Sequence, residues 1–127
     1  MNYNYNFKYD LEWGQVGENT VAEIVTGDKT EVKSERDRWM TSGNHYVEYK
    51  SRGKSSGIMT TEAKWWSVNF FNPDTDKFCF NITISVEDLR KLMKNGHKNK
   101  NWKKIPGGDD NTSMGILVPI MALIGIR

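Results

Sequence analysis

Apolar and polar positions follow a helical period at the start of the chain and a strand period soon after it. Across residues 11–25, apolar or small side chains recur on one stripe of a helix, and Gly27 stands where a C-terminal cap is expected. Alternation with a period of two follows in residues 29–33 and 46–50, and a polar loop containing Gly43 joins them. This half of the chain is therefore predicted to form one helix and two strands.

Two further strand patterns lie in the second half of the chain. Residues 66–71 and 78–85 are predicted as strands, because β-branched and aromatic residues dominate both. The Asn-Pro-Asp sequence at 72–74 predicts the turn between them. A short helix at 62–64, capped by Thr60 or Thr61, is predicted just before the first of these strands.

The remaining segments are predicted as a helix, a loop and an apolar tail. Ser85 followed by Asp88 resembles a capping box, and it opens a helix that Gly96 should end. Residues 97–113 are polar and rich in glycine, which predicts an exposed loop. Residues 115–126 are nearly all apolar, so they belong either to the core or to a homodimer interface.

Length and composition indicate one folded α/β domain spanning residues 1–127. The five Trp, five Tyr and five Phe residues can supply a core, which argues against a disordered chain. The formal net charge is only +2, yet residues 90–104 contain seven Lys or Arg and no Asp or Glu. That block predicts a local electropositive surface.

The single cysteine and the absence of long apolar runs bear on location. Cys79 excludes a disulfide within the chain and suits a reducing compartment, and its place between two phenylalanines predicts a buried strand position. The N-terminus shows no positive region followed by an apolar run, as a secretory signal would. The apolar tail is too short for a membrane span and is broken by Pro119. We expect a cytoplasmic protein with no membrane contact.

Two Glu-x-Lys pairs carry the candidate chemistry. Side chains alternate along a strand, so Glu31 shares a face with Lys33, and Glu48 shares a face with Lys50. If the two strands pair, both carboxylates can face the same side. Glu18 falls on the apolar stripe of the first helix, where a carboxylate is costly unless something pairs with it.

Three converging carboxylates indicate a divalent cation. Like charges held close together destabilise a fold unless a cation neutralises them. Ligands that are all oxygen favour Mg²⁺ or Mn²⁺, and such an ion can activate a water and bind a phosphate oxygen. Glu18, Glu31 and Glu48 are the predicted metal ligands, with Lys33 or Lys50 beside them, and a phosphodiester is the predicted substrate.

The order of these residues resembles the PD-(D/E)xK nuclease superfamily. More narrowly, a group of small, mostly phage-encoded proteins similar to Holliday-junction resolvases has segments like EVKSE, SGNHYVEY and KSSGIMTTEAKWW of this chain. The resemblance covers roughly residues 14–66. It implies a small mixed β-sheet with flanking helices and Mg²⁺-dependent hydrolysis of branched or structured DNA, by an endonuclease rather than an exonuclease, in the host cytoplasm.

The chain departs from that pattern at the second acid, and two registers are open. The superfamily ordinarily has Asp preceded by Pro, whereas Glu31 here follows Thr30. Either Glu31 is the lone acid and Glu48-x-Lys50 the motif, or Asp28 is the lone acid and Glu31-x-Lys33 the motif. The first register is favoured for the acids. The lysine stays open, and the resemblance to the small phage group favours Lys33.

Residues outside the acid cluster are predicted to contact DNA or to serve the fold. Backbone amides and hydroxyls of the Ser-Ser-Gly segment at 55–57 would meet a phosphate. Trp65 and Trp66 are predicted to pack in the core, and His45 and His97 to lie on the surface. The predicted DNA contacts are Ser55, Ser56, Lys91, Lys94, Lys98, Lys100, Lys103 and Lys104. A DNA-binding or inhibitor protein with a degenerate metal site is the alternative function, and an enzyme acting on RNA is a third.

Overall fold

The computed structural model describes residues 15, 18–20, 22–24, 27 and 29–125, and in this part the chain is a mixed α/β protein. Its seven strands are β1 (Thr30–Glu35), β2 (Asn44–Ser51), β3 (Lys54–Ser55), β4 (Trp65–Phe71), β5 (Phe78–Ser85), β6 (Lys104–Gly107) and β7 (Ser113–Pro119). Its helices are α1 (Trp39–Ser42), α2 (Val86–Asn99) and α3 (Ile120–Leu123), with 3-10 turns at Gly57–Met59 and Asp109–Asn111. Residues 15, 18–20 and 22–24 are also helical.

The strands form two open sheets. The first has the order β1-β4-β5, with β1 parallel to β4 and β4 antiparallel to β5. The second is antiparallel, with the order β3-β2-β7-β6. The two strands that carry the Glu-x-Lys pairs, β1 and β2, do not pair with each other. Each pairs with a more apolar strand later in the chain, β1 with β4 and β2 with β7.

One hydrophobic core joins the two sheets to α2. Val68 and Phe70 of β4 are fully buried, as are Val47 of β2 and Val118 of β7. Leu89 of α2 belongs to the same cluster and is also fully buried. Because both sheets contribute to this cluster, burial of these side chains holds them together.

Helix α2 begins where the sequence predicts and ends later. The Asp88 amide donates to Ser85 Oγ at 3.0 Å, which confirms the N-cap. The helix continues to Asn99, however, and Gly96 lies inside it and is buried. A Cβ on Gly96 would overlap the indole ring of Trp102. This glycine serves close packing rather than helix termination.

Within the described residues, much of the apolar tail packs in the core. It forms β7, a central strand of the second sheet, whose last residue is Pro119, and then α3. Proline is tolerated at a strand end, where its missing N–H interrupts no ladder. Val118 and Leu123 are buried, whereas Met121 and Ile124 are 53% exposed.

Several other local predictions have clear outcomes. The turn at 72–74 is confirmed, since Asn72 Oδ1 accepts from the Asp74 amide at 2.8 Å. The prediction of a short helix at 62–64 is wrong, because the helical turn lies earlier, at Gly57–Met59. The loop at 97–113 is also wrong, since β6 and the end of α2 lie within it. Cys79 is exposed on β5, not buried.

Within the described residues, every helix is too short or too polar to cross a lipid bilayer.

Candidate functional site

Strand β1 carries charged side chains on the face where a core-facing strand would carry apolar ones. It lies at one edge of the described three-stranded sheet. Register partners in a sheet point to the same side, and the partners on β4 are buried core residues. The pairs are Glu31 with Trp66, Lys33 with Val68 and Glu35 with Phe70. Val32, on the opposite face, is 59% exposed.

Two of these charged residues, Lys33 and Glu35, line a small cavity between β1 and β2, which we call the candidate cleft. Its volume is about 230 Å³. It is lined by Lys33, Ser34, Glu35, His45, Tyr46, Glu48 and Trp66. Glu48 and Lys33, which lie on strands that do not pair, therefore still face one space.

Lys33 is held at the cleft by two partners. Its Nζ lies 3.6 Å from Glu31 Oε1 and 5.3 Å from the centroid of the Trp66 ring. The Glu31 and Lys33 side chains remain 40% and 41% exposed. An ion pair this exposed stabilises the fold little, so both charges stay available to a ligand.

Glu48 is positioned by the turn that follows β3. Ser56 Oγ donates to Glu48 Oε2 at 2.9 Å. Gly57 has φ +54°, and a Cβ there would overlap the Glu48 carbonyl oxygen, so only glycine lets the turn come this close. The Ser-Ser-Gly segment thus contacts the acid of the cleft. Ser55 lies on the exposed strand β3.

A buried histidine fixes a second carboxylate of the cleft, Glu35. His45 is 1% exposed, and its Nδ1 lies 2.7 Å from Glu35 Oε1. The Tyr46 amide donates to the same oxygen at 3.1 Å. On the other side of the ring, Trp66 Nε1 donates to His45 Nε2 at 3.1 Å. The prediction that His45 lies on the surface is wrong.

The bonding pattern determines where the imidazole carries its proton. An indole N–H can only donate, so His45 Nε2 must accept and is unprotonated. The proton of a neutral ring then lies on Nδ1, which donates to the Glu35 carboxylate. With two donors on Glu35 Oε1, its other oxygen, Oε2, is the one left for the cleft.

Glu35 and His45 are functional candidates that the sequence reasoning missed. Glu35 continues the alternation of Glu31 and Lys33 by one further step. His45 is two residues from Val47 and so shares its apolar face. A histidine on an apolar strand face must either be paired or be unfavourably desolvated. This position in the sequence could have indicated that His45 is buried and bonded.

Two of the predicted site residues lie apart from the candidate cleft. Glu18 is exposed, so the prediction that it points to the core is wrong, and the acid of this segment that contacts a strand is Glu23, whose Oε1 accepts from Trp65 Nε1 at 3.2 Å. Lys64 and Trp65 donate to Glu23 and hold the pKa of its carboxyl below the usual value. Lys50 is exposed and follows a register shift that separates it from Glu48.

Within the part of the chain that the structure describes, no three His, Cys, Asp or Glu side chains lie close enough together to hold a metal ion. The candidate cleft offers Glu35 and Glu48, and Glu31 lies 3.6 Å from the cleft residue Lys33. Any cation there would need further oxygen ligands from water or substrate.

The six lysines of the basic block are all exposed, as expected for a solvated or DNA-facing surface. Lys91 pairs with Glu87 at 3.1 Å on the helix surface. Lys94 and Lys104 border a second cavity, away from the candidate cleft. The remaining members of the set are Lys98, Lys100 and Lys103.

Comparison of the chain with protein-family models, with curated proteins and with solved structures gave no match. The fold and the site define a mixed α/β protein with a charged cleft at a sheet edge. The chemistry of that cleft has to be inferred from its own residues.

Proposed function

We propose that the protein is a metal-dependent DNA nuclease of the PD-(D/E)xK type. The observation that carries the proposal is the cleft itself, where Lys33 of an edge strand faces Glu48 of β2 and Glu31 lies 3.6 Å from Lys33. Carboxylates and a lysine around one open space suit the binding of a cation and a phosphate together.

The donor set fits a hard divalent cation. Mg²⁺ is usually held by one or two carboxylates, several waters and substrate phosphate oxygens, so a complete protein cage is not required. Glu48 and Glu31 would hold it, and water and substrate oxygens would complete its coordination. When bound, the cation would polarise a phosphate oxygen and lower the pKa of a water.

Lys33 is the better candidate for the phosphate contact. It lines the cleft and lies over the Trp66 ring, whereas Lys50 is exposed beyond the irregularity in β2. An ammonium held in place stabilises the negative charge that develops on the phosphate without having to be reoriented. Glu35, whose Oε1 is fixed by two donors, can orient a water through Oε2.

Branched or otherwise structured DNA is the proposed substrate, cut internally. The exposed lysines of the basic block would contact its phosphates. Reading of base sequence requires side chains that reach base edges in a groove, and the described elements offer no long exposed helix or ribbon beyond α2 for that purpose.

The test is cleavage of linear, nicked, flapped and four-way DNA with Mg²⁺, Mn²⁺ or chelator, for wild type and Glu48→Gln. We expect the variant to lose at least about a hundredfold in rate, because removing an electrostatic partner of the transition state typically costs that much. Its urea midpoint should stay near that of wild type. Glu62→Gln, at an exposed position away from the cleft, is the matched control and should cleave normally.

Metal binding gives an independent measurement. Mn²⁺ should raise the thermal midpoint of wild type and raise that of Glu48→Gln much less, since a ligand stabilises only the state that binds it. Equal shifts in both proteins would refute the assignment of Glu48.

The alternative is a DNA-binding or inhibitor protein on the same fold. It is favoured by one observation, that three metal-ligating side chains do not converge within the described residues. Tight binding of the DNA panel with no cleavage under any metal would identify this alternative. Cleavage of RNA in place of DNA would identify the third possible function, an enzyme acting on RNA.

A further inference from the structure

A second cavity lies beyond the turn that holds Glu48. Its volume is about 410 Å³, within the range of small-molecule sites. Tyr49 lines it, although the preceding residue, Glu48, lines the candidate cleft. The register shift after Glu48 leaves Tyr49 without a partner on β7, which frees its ring to face this second space.

The floor of this cavity is apolar and polarisable. Ile58, Met93 and Ile116 are buried and form its base. The Tyr49 ring and the Met59 side chain, which is 58% exposed, form its walls. Thioether and aromatic groups pack well against flat π-systems.

The rim is cationic, and we therefore call the site the basic cavity. Arg90, Lys94 and Lys104 surround it together with His97, and its described lining contains no carboxylate. Lys104 Nζ lies 5.9 Å from the centroid of the Tyr49 ring. Arg90 donates from Nε to the Ile58 carbonyl at 2.9 Å and from Nη2 to the Thr61 carbonyl at 3.1 Å. Its guanidinium is thus fixed beside the cavity.

An apolar floor with an aromatic wall inside a positive rim suits a ligand with a flat apolar body and negative charge. A nucleotide has both, in its base and its phosphate. Single-stranded nucleic acid is bound in this way generally, by stacking surfaces within an electropositive groove. An acidic peptide would satisfy the rim, but it would not need the open sulfur and aromatic surface.

The basic cavity lies next to the candidate cleft, so one ligand could occupy both. The Gly57–Met59 turn separates them, since Ser56 bonds Glu48 on one side and Met59 lines the basic cavity on the other. Consecutive residues of β2, Glu48 and Tyr49, line the two spaces. A strand with one phosphate in the cleft could therefore reach the cavity.

We infer that the basic cavity binds an unpaired nucleotide of the DNA strand whose phosphate lies in the candidate cleft. This inference rests on the proposed function. It assigns the substrate an unpaired segment next to the cut, as at a flap or a junction.

The test uses the whole protein in chelator, where no cleavage occurs. Methionine methyl NMR follows titration with a single-stranded hexanucleotide, with the same strand in a hairpin duplex, and with an abasic deoxyribose-phosphate hexamer. We expect saturable shifts of the Met59 and Met93 methyls, and little change at the exposed Met40 and Met121. The single strand should bind at least about fivefold more tightly than the other two, as stacking of a base predicts.

Two charge variants locate the phosphate contact. Lys94→Gln should weaken binding of the single strand at least about threefold, whereas Lys77→Gln, at an exposed position outside the cavity and outside the basic block, should weaken it less than twofold. Equal affinity for the abasic hexamer would overturn base binding and leave only general attraction of charge. Shifts produced by an acidic amphipathic peptide but not by the single strand would assign the cavity to a protein partner instead.

The outcomes separate this inference from the proposed function. Methyl shifts without cleavage in any metal would retain the nucleotide site and remove the nuclease. Cleavage with no methyl shift would retain the nuclease and remove the nucleotide site.

Discussion

Replacement of His45 by Phe tests the buried bonding pattern behind the candidate cleft. The change keeps an aromatic ring but removes both ring nitrogens. Trp66 Nε1, in a residue that is 1% exposed, loses its acceptor. Leaving a buried donor unsatisfied costs about 1–3 kcal/mol, and loss of the bond to the Glu35 carboxylate costs about 1.5–3 kcal/mol more.

The expected loss is therefore about 2.5–6 kcal/mol in the free energy of unfolding. This is a large share of the 5–15 kcal/mol typical of a domain, so the variant should fold but be weakly stable. Urea denaturation, followed by far-UV circular dichroism, measures the loss. His97→Phe changes an exposed histidine and should stay within about 0.5 kcal/mol of wild type.

A double-mutant cycle with Trp66→Phe isolates the indole bond. Once the indole donor is gone, His45→Phe should cost about 1–3 kcal/mol less than in wild type, because no buried donor is then orphaned. Long-range ¹H–¹⁵N spectra of wild type should show His45 protonated at Nδ1. A coupling energy below about 0.5 kcal/mol, or a proton on Nε2, would refute the bonding pattern.

Three further changes test other parts of the molecule. Lys33→Ala should reduce cleavage at least about a hundredfold and Lys50→Ala much less, and near-wild-type rates in both would remove lysine from the mechanism. Gly96→Ala should lower the free energy of unfolding by about 1–3 kcal/mol, because the new methyl overlaps the indole ring of Trp102. This loss should exceed the gain from the better helix propensity of alanine. A more stable variant would contradict that packing. Leu123→Asp should prevent stable folding, seen as loss of the thermal transition, because it buries a charge. Met121→Asp, at an exposed position, should keep the transition. If wild type were a dimer and Leu123→Asp a folded monomer, this segment would lie in an interface instead.

The features that could be predicted are those set by neighbouring residues. Strand β5 and the turn before it follow from alternation and from the side chain of Asn72. The start of α2 follows from Ser85, whose hydroxyl needs only the amide three residues later. Lys33 and Glu48 could also be selected, because charges that alternate with apolar residues stand out in a short strand.

The features that could not be predicted depend on residues far apart in the chain. Strand β1 pairs with β4 after an intervening hairpin-like segment, and only the competition among all strands decides that choice. Gly96 reads as a helix end because nothing local indicates that Trp102 will cover it. The partners of His45 could not be predicted, because they lie ten and twenty-one positions away, although its apolar strand face could have indicated its burial.

The charges on β1 have two physical explanations, and they apply to different residues. Inward-pointing charge on an edge strand prevents pairing with another chain, and this alone would account for the half-exposed Glu31 and Lys33. It does not account for Glu35, which is 18% exposed and bonded to a histidine that is itself buried. A charge that only repels neighbouring molecules gains nothing from a fixed orientation, whereas a carboxylate that acts on a ligand does. The buried support behind Glu35 also satisfies His45, and it favours the proposal that this edge binds a ligand without drawing on any resemblance of the sequence.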